Sequence, residues 1–260
     1  MNLAMNFHPP AMHGVIDRRI LVNFRVAPAA LQAILPFPFQ PRLIRGWGMA
    51  GICLIRLKQI RPLGLSARFG ISSENAAHRI AVKWEAEGRG QEGVYIPRRD
   101  TSSRINAFAG GRLFPGIHHY SRFRVLERAG CFCVEMSNRA DGAHVRLQAR
   151  CAPDFPATSA FGSLREASEF FRRGAVGYSV SDRTDRFDGL ELRSGEWHVE
   201  PLTIERAESS FFAGFPRGTV ELDSALLMRN VPHEWRAKAP LMVSAVGRNE
   251  SPGRSGGFPI

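Results

Sequence analysis

The stretch Ala143-His144-Val145-Arg146-Leu147-Gln148-Ala149-Arg150-Cys151 alternates apolar and polar residues. Val145, Leu147, Ala149 and Cys151 share one face, and His144, Arg146, Gln148 and Arg150 share the other. A period of two marks a strand with one buried and one wet face, the pattern of antiparallel sheets. Working outward, residues 78–85 repeat it, with Ile80, Val82 and Trp84 opposed to Arg79, Ala81 and Lys83. Further strand signals cover residues 20–26, 49–57, 121–126, 132–136, 197–199 and 220–228. Ala129-Gly130 and Asp141-Gly142 punctuate them, the second being a hairpin signal. Many strands with short connections predict a mainly β (α+β) chain built on an antiparallel sheet or barrel.

Two helices stand against this background. One spans residues 28–35, with Pro28 suited to the first turn and Leu31, Ile34 and Leu35 on one side. The other follows the capping box Ser163-Leu164-Arg165-Glu166, carries the stripe Leu164, Ala167, Phe170 and Phe171, and stops at Gly174. Both are expected to pack on the sheet. Periodicity fades after about Ala237, where Gly, Pro and Ser accumulate, so the reading is one domain over residues 1–236 and a flexible tail over 237–260.

Composition narrows the function classes. The 260 residues carry 35 Lys+Arg against 24 Asp+Glu, a net charge of +11, and only Lys58, Lys83 and Lys238 among the basic residues are lysines. The arginines are spread along the chain rather than gathered in blocks. Hydrophobic residues at 44% and charged residues at 23% are those of a folded domain. The longest charge-free apolar stretch, residues 46–55, is too short for a bilayer, which needs about 20 residues. Four cysteines make no disulfide framework, and no secretory signal is evident, so the expected location is cytoplasmic.

The densest polar stretch is Tyr95-Ile96-Pro97-Arg98-Arg99-Asp100-Thr101-Ser102-Ser103-Arg104. If Val94 and Ile96 point inward, strict alternation sends Arg98 inward and Arg99 outward. Pro97 cannot donate to a ladder, so the strand is expected to bulge there or lie at an edge. An inward guanidinium needs a partner, either an anionic ligand or an internal carboxylate such as Asp100 or a distant glutamate. Glu74, in Ser72-Ser73-Glu74-Asn75, is a candidate general acid/base or a solvated residue at a strand start. His118 and His119 point to opposite strand faces, and Cys131-Phe132-Cys133 lacks a second ligand pair, so no metal or other cofactor is expected. The glycine-containing loops Ala109-Gly110-Gly111-Arg112 and Phe114-Pro115-Gly116 are turns or the rim of a cavity.

Taken together, several stretches resemble the YqjF-like family, uncharacterised bacterial proteins within the acetoacetate decarboxylase-like superfamily. They are Gly14 to Arg19, Phe24 to Phe39, Gly51 to Ile55, Ser73 to Arg79, Gly93 to Arg104 and Gly110 to Gly116, with Phe161-Gly162-Ser163, Phe187 to Leu190 and Leu226 to Arg229 beyond. The resemblance implies a cone-like, mainly antiparallel β-barrel with a few packing helices and an internal cavity. In the decarboxylases a Pro-Lys-Lys segment supplies a Schiff-base lysine, and the second lysine lowers the pKa of the first. Pro97-Arg98-Arg99 stands there instead, and Glu74 matches the catalytic glutamate. Arginine keeps its proton and cannot form the Schiff base.

The expectation is therefore an internal site for a small anionic or carbonyl ligand. Arg98, Arg99, Tyr95, Ser103 and Arg104 are its candidate binding residues and Glu74 its candidate acid/base. Whether the protein is an enzyme stays open. The alternative is a non-catalytic ligand-binding or structural barrel in which Arg98 and Glu74 form an internal ion pair. Nucleic-acid binding is a third reading, from net charge alone. No membrane partner is expected, and a homo-oligomer is left open.

Overall fold

A computed structural model describes residues 11–86, 88–111, 115–195 and 197–243. Its frame is a run of long strands: β1 (Met12–Val26), β4 (Trp47–Pro62), β5 (Ile71–Ala86) and β6 (Arg89–Thr101), with the short β2 (Gln40–Pro41) and β3 (Leu43–Ile44) at their flanks. After β7 (His119–Tyr120) come β8 (Arg122–Arg128), β9 (Cys131–Ser137) and β10 (His144–Cys151). The chain then forms β11 (Val176–Val180), β12 (Arg186–Ser194), β13 (Glu200–Ser209) and β14 (Val220–Met242). Helices α1 (Pro28–Gln32), α2 (Arg104–Ala109), α3 (Leu164–Arg173) and α4 (Ser210–Ala213) join them.

Strands β1-β4-β5-β6-β11-β12-β14 are hydrogen-bonded in that order, and β14 returns to β1, which closes a ring. An arm of β13-β10-β9-β8 leaves the ring at β14. The pairings are antiparallel except β6 with β11 and β6 with β7, so the sheet is mixed rather than wholly antiparallel. The 143–151 pattern is β10, with Val145, Leu147 and Ala149 buried.

Two apolar clusters follow from the two faces of the ring strands. Ile20 and Val22 of β1, Ile52 and Leu54 of β4, and Ile80 and Val82 of β5 face outward and pack under Phe132, Val134, Val145 and Leu147 of the arm. Leu21, Met49, Cys53 and Ile55 face inward with Leu226 and Met228 of β14. Phe161, Ala167, Phe170 and Phe171 bring α3 against this inner face. Burying a large apolar side chain contributes about 1.5–3 kcal/mol, so both faces of the ring strands are strongly fixed.

Ser163 caps α3 by accepting from the Glu166 amide at 3.1 Å, while the Glu166 carboxylate accepts from the Gly162 amide at 2.5 Å, one residue earlier than a strict capping box. Three sequence expectations change. Helix α1 ends at Gln32, and residues 197–199 lead into β13 without being a strand. Strand β14 continues past Ala237 to Met242, because β12 pairs with it from Ser194↔His233 to Arg186↔Met242 and supplies the hydrogen bonds that periodicity did not announce. The rest of the expected tail, residues 244–260, lies outside the described residues. No helix among the described residues is long and apolar enough to cross a membrane.

Candidate functional site

The register of β5 against β6 decides which arginine enters the ring. His78 pairs with Arg98 and Ile80 with Tyr95, so β6 spends one residue more than β5 across Ile96-Pro97. This is a bulge, and one extra residue reverses the facing of everything after it. Val94 and Ile96 line the interior as expected, but Arg99 then joins them and Arg98 turns outward. The inward assignment of Arg98 is thereby corrected: alternation was extended across a bulge that Pro97 itself signals.

Outside the ring, Arg98 donates to both carboxylate oxygens of Asp100 at 2.8 Å and to Asp141 at 2.6 Å. Asp100 is fully buried and also accepts from the Ser121 hydroxyl at 2.7 Å. Burial opposes the charge on Arg98, but the two aspartates raise its pKa above the ordinary arginine value. Arg98 and Glu74 do not form the ion pair of the alternative reading. Glu74 instead accepts from Arg18 at 2.6 Å and from Arg56 at 2.5 Å, and Glu127 binds the same two arginines. Both Glu74 oxygens thus accept from guanidiniums, and Glu74 is not among the residues that line the cavity.

The other candidates disperse. Tyr95 packs outside the ring against Phe39 and Phe187, with centroids 5.3 and 5.8 Å away, and burial pushes its hydroxyl up to about 12. Ser103 caps α2 by accepting from the Asn106 amide at 3.2 Å. Arg104 is exposed, its guanidinium 5.2 Å from the Tyr120 ring. Only Arg99 of the six candidates fits the cavity site by placement.

That cavity occupies the ring interior, has a volume of about 260 Å³, and is walled by Ile55, Ile96, Phe171, Trp197 and Trp235 among others. Its charged and polar lining comprises Arg19, Cys53, Asn75, Arg79, Arg99, Asp100, Asn106 and His118. Cys53, Ala77 and Arg99 form one row across β4, β5 and β6. Arg79 lies two residues from Ala77 and opposite Gly51, where a Cβ would meet the Val22 carbonyl oxygen at 2.3 Å.

The arginine contacts are almost free of negative charge. Arg99 donates from Nε to the Ser179 hydroxyl at 2.9 Å. Arg79 donates to the Asn23 side-chain oxygen, stacks 4.6 Å from the Phe171 ring, and leaves its own Nε without a partner among the described residues. Arg19 donates from Nε to the Cys53 sulfur at 3.3 Å and lies 5.5 Å from the Trp197 ring. None of the three has a carboxylate hydrogen-bond or ion-pair partner among the described residues. Burial lowers Arg79 and Arg99 to about 10, against smaller opposing pulls from Cys53 on both and from Asp188 on Arg99. Both stay cationic at neutral pH. Burial, with Arg99 adding to it, lowers His118 to about 4, so it is a neutral polar group in the same wall.

Sequence reasoning placed Arg79 on a wet face and did not single out Arg19 or Cys53. A signal was present: Arg79 shares its face with Ala77 and Ala81, whose small size suits a lined interior better than solvent.

The fold resembles that of acetoacetate decarboxylase-like proteins. A solved acetoacetate decarboxylase-like enzyme from Sphingomonas wittichii RW1 matches with TM-score 0.57 and 14% identity over 94% of this chain and 96% of that chain. The acetoacetate decarboxylase of Legionella pneumophila matches with TM-score 0.55 and 11% identity over 92% of each chain. The enduracididine biosynthesis enzyme MppR, complexed with pyruvate, matches with TM-score 0.54 and 14% identity over 94% of each. No curated protein matches the sequence significantly. Residues 16–222 match the family of uncharacterized conserved proteins DUF2071, the YqjF-like group, and the chain belongs to that family.

Proposed function

We propose that the ring interior binds a small carboxylate through Arg99 and Arg79, and does so without Schiff-base chemistry. The observation that carries this reading is a pair of guanidiniums, 7% and 6% exposed, that line the cavity without a carboxylate hydrogen-bond or ion-pair partner among the described residues, while Asp100 of the same lining is held by Arg98. A buried charge without a counter-ion costs several kcal/mol, and a carboxylate ligand offsets that cost through charge-assisted hydrogen bonds. Pyruvate, which occupies MppR, is of a suitable size and charge. Lys58 reaches Asp17, and Lys83 and Lys238 are exposed, so no lysine contributes an amine to the cavity lining. A cytoplasmic setting fits a cavity that contains the free thiol of Cys53.

Ligand-induced thermal stabilisation tests the reading. Pyruvate, lactate and propionate should each raise the melting temperature, since a ligand at 100 times its Kd adds about 2.7 kcal/mol to stability. Propionamide should not, and Arg99→Met should abolish the response to all three acids. Failure of every carboxylate to stabilise the wild-type protein would overturn the proposal.

A further inference from the structure

We infer that Cys53 is a covalent anchor in this cavity, its thiol adding reversibly to the ketone carbon of a small 2-oxo carboxylate. The inference rests on the carboxylate reading and extends it from an anion to a class of electrophile. A buried cysteine is most often plain packing. Three features set Cys53 apart. Its sulfur lines the cavity and accepts a hydrogen bond from the Arg19 guanidinium at 3.3 Å. Ala77, its neighbour on β5, leaves the space between Cys53 and Arg99 unfilled by side chain. Across that gap stand Arg79 and Arg99, more than nine-tenths buried and without carboxylate partners among the described residues.

Strands lie about 4.8 Å apart, so Cys53 and Arg99 are separated by roughly two strand spacings at the backbone. A three- or four-carbon acid lying over Ala77 places its carboxylate toward Arg79 and Arg99 and its next carbon toward the sulfur. In 2-oxo acids that next carbon is the electrophile. The Sγ–C bond forms as the carbon–oxygen π bond breaks, and the thiol proton ends on the former carbonyl oxygen as a hydroxyl. Nothing is oxidised or reduced and no group leaves. The Arg19 guanidinium beside the sulfur is placed to hold that oxygen, as a fixed donor does for developing negative charge. Cys131, Cys133 and Cys151 lie on the arm and do not line the cavity.

The experiment uses the intact chain with [2-13C]pyruvate. Carbon NMR should show a protein-bound tetrahedral carbon, distinct from free pyruvate hydrate, that disappears in Cys53→Ala while pyruvate still stabilises that variant thermally. In parallel, iodoacetate and iodoacetamide alkylation is followed by peptide mapping. Relative to Cys131 of the same molecule, Cys53 should favour the anionic reagent several-fold and be protected by pyruvate. Thermal stabilisation by pyruvate with no bound tetrahedral carbon in the wild-type protein overturns the covalent anchor and leaves the carboxylate site standing. No stabilisation by any carboxylate overturns the site itself. An iodoacetate preference at Cys53 no greater than at Cys131 also counts against the anchor.

Discussion

Arg98 and Arg99 are consecutive in the chain and stand on opposite sides of β6: Arg98 is locked to Asp100 and Asp141 outside the ring, and Arg99 lines the cavity inside it. The bulge at Ile96-Pro97 sets that division. Two residues that look equivalent in sequence therefore hold different electrostatic positions, one paired with two carboxylates and one with a neutral hydroxyl.

Substitution should separate them. Arg98→Ala leaves the fully buried Asp100 with only neutral donors, and breaking such a pair costs about 3–5 kcal/mol. Arg99→Met removes an unpaired buried charge and one hydrogen bond to Ser179, so stability should hold within about 1 kcal/mol or rise. Urea denaturation of both variants checks this. A larger loss for Arg99→Met than for Arg98→Ala would reverse the assignment of structural and ligand-facing roles.

Gly116 supports Arg99 from behind. Its φ is +85°, and a Cβ there would meet the Ser179 Cβ at 2.9 Å and the Arg99 Nε at 3.2 Å. Gly116→Ala should cost about 1–2 kcal/mol in backbone strain and also weaken carboxylate-induced stabilisation by disturbing the Arg99–Ser179 contact. Gly142 has φ +75° with open space around it, so Gly142→Ala should carry the strain alone and leave ligand response intact. Equal ligand responses in the two variants would show that Gly116 does not position Arg99.

Acid should destabilise the protein well before its carboxylates titrate. His78 is completely buried, its Nε2 2.7 Å from the Ser209 hydroxyl, and burial lowers its pKa from 6.5 to about 4. Burial acts the same way on His118 and His233, each lowered to about 4. Between pH 6.5 and about 4 the unfolded chain binds more protons than the folded one, so stability falls as pH falls across that window. At 1.36 kcal/mol per pKa unit, His78 alone contributes roughly 3 kcal/mol over the full range. Asp17 and Asp141 are held below their ordinary 3.8 by Lys58 and Arg98 in opposition to burial, and so act only at lower pH. Urea midpoints from pH 7.5 to 4.5 should decline, and His78→Gln should decline less steeply. Parallel slopes for the two proteins would remove His78 from the account.

Much of the fold was legible because one face of many strands is wet or sheltered by the arm. The alternation in β10 and the outer half of β5 follows directly from that arrangement. Strands β11 and β12 were not legible: β12 is buried on both sides over residues 187–190, and double burial erases a period of two. The β14 extension was lost for the opposite reason, since Ala237 to Met242 are mostly exposed and owe their order to pairing with β12. For the cavity, Pro97-Arg98-Arg99 is the segment that contributes Arg99 to the lining, and parity extended across the bulge misassigned which of the two arginines faces inward. Arg19, Cys53 and Arg79 come together through the side-by-side pairing of β1, β4 and β5, strands that are separate in the chain. No local pattern encodes that meeting.

The amine missing from the cavity can be restored at the position the bulge selects. Arg99→Lys places a primary amine in the buried cavity wall, where burial favours the neutral, nucleophilic form against the opposing pull of Asp188. Borohydride reduction in the presence of acetoacetate or pyruvate should then trap a covalent adduct on Lys at position 99, visible as a mass increase and mapped by peptide analysis. The wild-type protein should show no lysine adduct, because Lys58, Lys83 and Lys238 lie outside the cavity lining. Arg98→Lys should show none either, since that side chain faces Asp100 and Asp141, which hold an ammonium charged. Trapping at position 98 in preference to 99 would mean that the face of β6 turned toward the ligand is the other one, and a wild-type adduct on any lysine would bring Schiff-base chemistry back.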